Sequence, residues 1–136
     1  MTSQEYAYLL PQPAALTQEF WDAAKRHQLV IHECADCKML RHPPAGICAN
    51  CGSENVTWRK MSGRGTLYTY VIVHQATLPN WRESVPYNII QVALEEAPEI
   101  RLYGNIVDYP DSELKVGLPL VAVFDERKEP AHRRLG

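Results

Sequence analysis

The sequence predicts a mainly β chain opened by one short helix, and three observations predict it. First, all four cysteines fall in two Cys-x-x-Cys pairs, Cys34/Cys37 and Cys48/Cys51. Second, ten prolines and seven glycines in 136 residues break the chain into many turns. Third, four stretches rich in β-branched and aromatic residues follow the cysteines: Leu67–His74, Tyr87–Leu94, Ile100–Val107 and Leu118–Phe124. Together they point to a helix, a four-cysteine ribbon and a small Greek-key β-barrel of the OB type.

Each element has its own local reason. The arm Met1–Pro13 reads as extended, because Pro11 and Pro13 oppose a helix. Its Tyr6, Tyr8, Leu9 and Leu10 suit either its own core or a partner. Thr17 is a candidate cap for a helix running to about His27, with Glu19 and Asp22 near its start and Lys25 and Arg26 near its end. Leu16, Phe20, Ala23 and Ala24 form its apolar face, and Trp21 lies beside that face. A helix this short needs something to pack against. Gln28–Glu33, Met39–His42 and Val56–Lys60 read as the three strands of the ribbon. Ser62-Gly-Arg-Gly-Thr66 reads as a flexible joint into the barrel. The loop Gln75–Pro86, with Leu78, Trp81 and Arg82, is long for a hairpin, and such loops often carry function. The resulting division is arm and helix 1–28, ribbon 29–61, barrel 62–127 and a loose polar tail 128–136.

Two tight turns that each present two sulfurs to one point complete a tetrahedron of thiolates, the closed geometry of a structural zinc site. Cys34, Cys37, Cys48 and Cys51 are the expected ligands. Iron takes the same ligand set, so the spacing leaves both metals open. Two disulfides would suit an exported protein, but Met1-Thr-Ser-Gln-Glu-Tyr-Ala-Tyr8 has neither a basic nor an apolar leader region, so a cytoplasmic chain is expected. Four thiolates leave no open position for a catalytic water. His42 is a spare imidazole that a complete thiolate set does not need.

Composition excludes several classes. No apolar run approaches the roughly 20 residues of a membrane helix. A net charge of −2 disfavours a nucleic-acid module, which carries a basic face. No Ser/His/Asp grouping or spare cysteine offers a nucleophile. Gly63-Arg-Gly65 is no phosphate loop, because it opens a strand and no Lys-Ser/Thr follows.

The order of these parts, with Thr17–Lys25, Cys34–Pro44, Cys48–Gly52, Ser62–Tyr70 and Lys115–Leu120, resembles the rubredoxin-like zinc-ribbon/OB-fold family of acyl-CoA-associated proteins. Within it, the ribbon and joint are most similar to accessory subunits of thiolase-like steroid side-chain aldolases. The resemblance implies a non-catalytic subunit that stabilises a thiolase-superfamily enzyme, as a heterotetramer, and helps form its CoA entrance. The enzyme would make or cleave a carbon–carbon bond of an acyl-CoA thioester, a steroid side-chain ester among them. Structural Zn2+ and a CoA thioester shared with the partner are the implied cofactors.

Arg64, Trp21, Trp81 and Arg82 are the candidate contacts to CoA or to the partner. Arg64 projects between two glycines, and Trp and Arg are enriched at interface hot spots. Tyr68 and Tyr70 are expected on one strand face, with Leu67, Thr69 and Val71 on the other. Stacked tyrosines on an OB face support an alternative, single-stranded nucleic-acid binding.

Overall fold

The computed structural model describes residues 11–125. Most of the N-terminal arm and the tail therefore lie outside the described residues. The helix α1 spans Gln18–Lys25. Thr17 does not cap it through its side chain; the hydroxyl instead accepts the Ala14 N–H at 2.9 Å. Ala23 is the fully buried point of the helix, while Phe20 is half-buried against Trp21 and His42.

The ribbon is a three-stranded antiparallel sheet in the order β2-β1-β3. It is made of β1 (Val30–Cys34), β2 (Leu40–Arg41) and β3 (Val56–Lys60). β1 is buried along its whole length, because helix and flanking strands cover it. Its register with β3 runs from Val30↔Lys60 at one end to Cys34↔Val56 at the other.

A second antiparallel sheet follows, in the order β6-β5-β4-β7. Its strands are β4 (Arg64–Val73), β5 (Tyr87–Leu94), β6 (Arg101–Gly104) and β7 (Pro119–Val121). Among the described residues this OB sheet is a half-barrel: nothing pairs with the outer edge of β6 or of β7. β6 is shorter than its sequence pattern because Asn88 draws the chain away. The Asn88 side chain accepts the Ile106 N–H at 2.7 Å and donates to the Ile106 carbonyl and to Asp111, both at 2.9 Å.

A bulge between Leu67 and Thr69 in β4 changes which tyrosine faces inward. The expected pairing of Tyr68 with Tyr70 on one face is therefore corrected. Tyr70 packs against the core of Leu67, Ile90 and Leu114 and donates to the Leu114 carbonyl at 3.1 Å, whereas Tyr68 is exposed. Arg101 lies over the Tyr68 ring, 3.7 Å from its centre.

Ribbon and half-barrel share one apolar core. Ile31 and Met61 from the ribbon side pack with Leu94, Ala97 and Ile100 from the barrel side, and Leu29, Leu40 and Leu102 close around them. The joint expected to flex is instead tied. Ser62 donates from its backbone N–H (2.6 Å) and its hydroxyl (3.1 Å) to Glu96, and Arg64 pairs with Glu95 at 2.9 Å. Gly65 is needed for close approach, since a Cβ there would stand 2.5 Å from the Ala93 carbonyl oxygen. Among the described residues no helix is long and apolar enough to cross a membrane.

Candidate metal centre

The two cysteine turns are built alike. In each, the first cysteine's carbonyl accepts the N–H four residues on: Lys38 to Cys34 at 3.0 Å, and Gly52 to Cys48 at 2.9 Å. Both of those following residues have positive φ, 66° at Lys38 and 77° at Gly52. Gly52 announces this in the sequence; Lys38 does not, because a lysine carries no turn signal. Each turn also aims a backbone N–H at a sulfur, Cys37 at Cys34 Sγ and Asn50 at Cys48 Sγ, both 3.4 Å.

The turns bring the four sulfurs within 4.8 Å of one another. The Cys34–Cys51 and Cys37–Cys48 sulfurs are each 3.6 Å apart. A Zn–S bond of about 2.3 Å gives a tetrahedron with edges of about 3.8 Å, so the cluster fits one such ion. A disulfide needs about 2.05 Å, and all four cysteines are free.

The electrostatics agree with a cation at the centre. The Cys37 N–H holds the Cys34 thiol down at about 6 despite burial. The N–H groups of Cys51 and Asn50 likewise lower Cys48. Cys51 is pushed up to about 12: the Ser53 N–H works against the rise, but the Cys34 sulfur, burial and the other two cysteines outweigh it. Four sulfurs this close cannot all ionise unless a positive charge sits among them. A bound zinc ion would be held by these four side chains and would supply structure, not an open coordination position.

Neighbouring side chains lock the cluster. Asp36 of the first turn accepts hydrogen bonds from the Ser53 hydroxyl and from Asn55 (3.1 Å) beyond the second, and these two bonds hold its carboxyl below the usual range. Asp36 and Ser53 are a pairing that sequence reading missed, because they lie seventeen residues apart and at unlike positions of the two turns. His32 is buried two residues before Cys34, and its Nδ1 accepts the Arg41 Nε–H at 2.8 Å. Burial first, and then the Arg41 charge, lowers its pKa, so it serves as a neutral acceptor. His42 packs on Phe20, 5.7 Å between ring centres, and is not part of the sulfur cluster.

The candidate contact residues do not form one site. Trp21 lies on α1 against Phe20, 5.1 Å between ring centres. Arg64 opens β4 and Trp81 and Arg82 lie beyond its far end, about 30 Å along a ten-residue strand. Trp81 leans on Tyr87, 5.2 Å between ring centres.

Comparison with known proteins matches this two-part plan. The description "ChsH2, rubredoxin-like zinc ribbon domain" fits residues 21–57, and "ChsH2, C-terminal OB-fold domain" fits residues 58–125. A probable enoyl-CoA hydratase alpha subunit of Thermomonospora curvata is 37% identical over 88% of this chain and 37% of its own length. The 3-oxo-4,17-pregnadiene-20-carboxyl-CoA hydratase alpha subunit of Mycobacterium tuberculosis is 32% identical over 87% of this chain and 36% of its own. The chain thus spans little more than a third of these two relatives. A chain solved as the Ltp2-ChsH2(DUF35) aldolase superposes with a TM-score of 0.79 at 33% identity, covering 88% of this chain and 91% of that one. The chain belongs to the ChsH2 (DUF35) family, in which a rubredoxin-like zinc ribbon is joined to an OB-fold domain.

Proposed function

We infer that this chain is a non-catalytic accessory subunit of an enzyme acting on acyl-CoA thioesters. The observation that carries the reading is its likeness, nearly end to end, to a chain of the Ltp2-ChsH2(DUF35) aldolase. The chemistry agrees: every cysteine is committed to one cluster, which leaves no thiol nucleophile. Cys34, Cys37, Cys48 and Cys51 hold one structural Zn2+. The partner is a thiolase-superfamily enzyme that cleaves or forms a carbon–carbon bond. Retro-aldol cleavage of a steroid side-chain CoA ester is the favoured reaction, supported by the steroid-CoA hydratase subunit among the relatives. The complex is a cytoplasmic heterotetramer built on the partner's dimer, and this chain helps shape the CoA entrance.

Trp21, Arg64, Trp81 and Arg82 are proposed contacts to that partner or to CoA, and Arg64 would exchange Glu95 for the new anion. The nucleic-acid alternative draws no support from β4, where Tyr70 points inward and Arg101 covers Tyr68. The test is co-expression with a thiolase-superfamily enzyme encoded beside this chain. The two should elute together in size exclusion, and the enzyme should lose stability or turnover without this chain. Separate elution, with an enzyme fully active alone, overturns the reading.

A further inference from the structure

Among the described residues the half-barrel is open on one side. Between the outer edges of β6 and β7 runs a groove of about 530 Å³, floored by Ile90, Val92, Leu102 and Leu120. Its rim carries Tyr103, Val121 and Val123, which are 76%, 68% and 67% exposed. An OB barrel has five strands, and four are in place among the described residues. The groove therefore has the position and the apolar floor of a missing strand.

Both sides of the groove are strand edges, and their alternation shows what they offer. The Ala122 N–H turns inward to the Gly63 carbonyl at 2.7 Å, and the Leu118 carbonyl turns inward to the Leu67 N–H at 2.9 Å. The Val121 N–H lies between these and faces outward, towards the groove. Open backbone edges are templates for another extended peptide. A lipid or acyl chain would fill the floor but leave the edges unpaired. Charge argues the same way: among the described residues Asp108 is the one charged residue lining the groove, and none there offers CoA phosphates a cation.

We propose that this groove is the docking seat of an extended, uncharged segment of the partner enzyme, which pairs with β7 and completes the barrel. The proposal rests on the accessory-subunit reading and adds how the enzyme is gripped. The chain's own two ends are the rival occupants: Val121–Phe124 lead along the rim towards the C-terminal residues, and the arm Met1–Leu10 carries Tyr6, Tyr8 and Leu10 at alternating positions. Residues 126–136 fit poorly: six of these eleven are charged and Pro130 interrupts them, whereas the floor calls for alternating apolar side chains.

The test uses the full chain, alone and with the co-expressed thiolase-superfamily enzyme, followed by amide hydrogen exchange. Val121→Pro removes the outward N–H and spares the inward bonds. Complex formation should slow exchange at 101–104 and 119–123 at least tenfold. Val121→Pro should weaken the complex tenfold or more while the isolated variant keeps the wild-type melting temperature and zinc content. Unchanged exchange at those amides in an intact complex overturns the docking proposal and leaves the accessory reading standing. Protection already present in the isolated chain, and lost on deleting 126–136 or 1–10, assigns the groove to one of the chain's own ends and also overturns it. If no complex forms, the accessory reading falls first and this proposal with it. Should Val121→Pro fail to fold, the exchange comparison on the wild-type chain decides alone.

Discussion

The two ends of the ribbon are held by different physics. At one end, Cys34 pairs with Val56 and the four sulfurs gather, and the apolar side chains of the turns, Met39, Ile47 and Val56, are exposed. At the other, Val30 pairs with Lys60, and Ile31 and Met61 sink into a core shared with the half-barrel. The ends are about 13 Å apart along β1. The difference teaches that the metal is not the joint between the two halves. It shapes the tip, where a ribbon this small cannot bury enough surface to fold by itself. Apolar packing, the Ser62–Glu96 bonds and the stack of Phe124 on His27 (5.3 Å between ring centres) fix the ribbon and helix against the barrel.

Substitutions can break this contrast from either side. Cys48→Ser should have the largest effect. Zinc content should fall from one ion per chain to near zero, with loss of the order of the ~10 kcal/mol by which such ions fold isolated zinc peptides. Elemental analysis and exchange at residues 34–57 report it. Ile31→Ala comes next: a fully buried side chain at the shared core should cost about 2–5 kcal/mol in denaturant unfolding. Zinc content should be unchanged. If Ile31→Ala also released the metal, the two ends would not be separate.

Asp36→Ala tests the lock around the turns. It removes the partner of Ser53 and Asn55, and should lower the melting temperature slightly while hastening zinc loss to a chelator. Glu96→Gln should be the smallest effect. Partial burial opposes ionisation of Glu96, but the Ser62 N–H and hydroxyl prevail and lower its pKa below the reference 4.5. A lowered folded pKa stabilises above the unfolded value and is lost as pH falls through the folded one. The gap in melting temperature between wild type and Glu96→Gln should thus be full above pH 4.5 and shrink below it.

Much of this was legible in the sequence because local chemistry dictates it. Two Cys-x-x-Cys turns can serve few purposes, and β3 falls where its alternating residues put it, at Val56–Lys60. The ribbon, the helix and the order of the four barrel strands follow from such patterns. What escaped depends on contacts distant in the chain. Nothing near Tyr68 signals a bulge, so the inward turn of Tyr70 was invisible. The joint read as flexible because Gly63 and Gly65 flank Arg64, yet its ties, Glu95 and Glu96, lie some thirty residues on. Ile31 looked like one more strand residue until Leu94 and Ile100 arrived beside it. Strand composition also could not tell a closed barrel from one that, among the described residues, is open between β6 and β7, since edge pairing is a property of the whole sheet.

The most direct test of the account is residue-resolved hydrogen exchange on the full chain before and after zinc is stripped at neutral pH. The account predicts that exchange at 34–57 rises by a hundredfold or more, while β4 and β5 stay within about tenfold of their protection, because their core of Leu67, Ile90 and Leu114 lies in the barrel. Collapse of protection across the whole chain in one step, or no change at the cysteine turns, would contradict it.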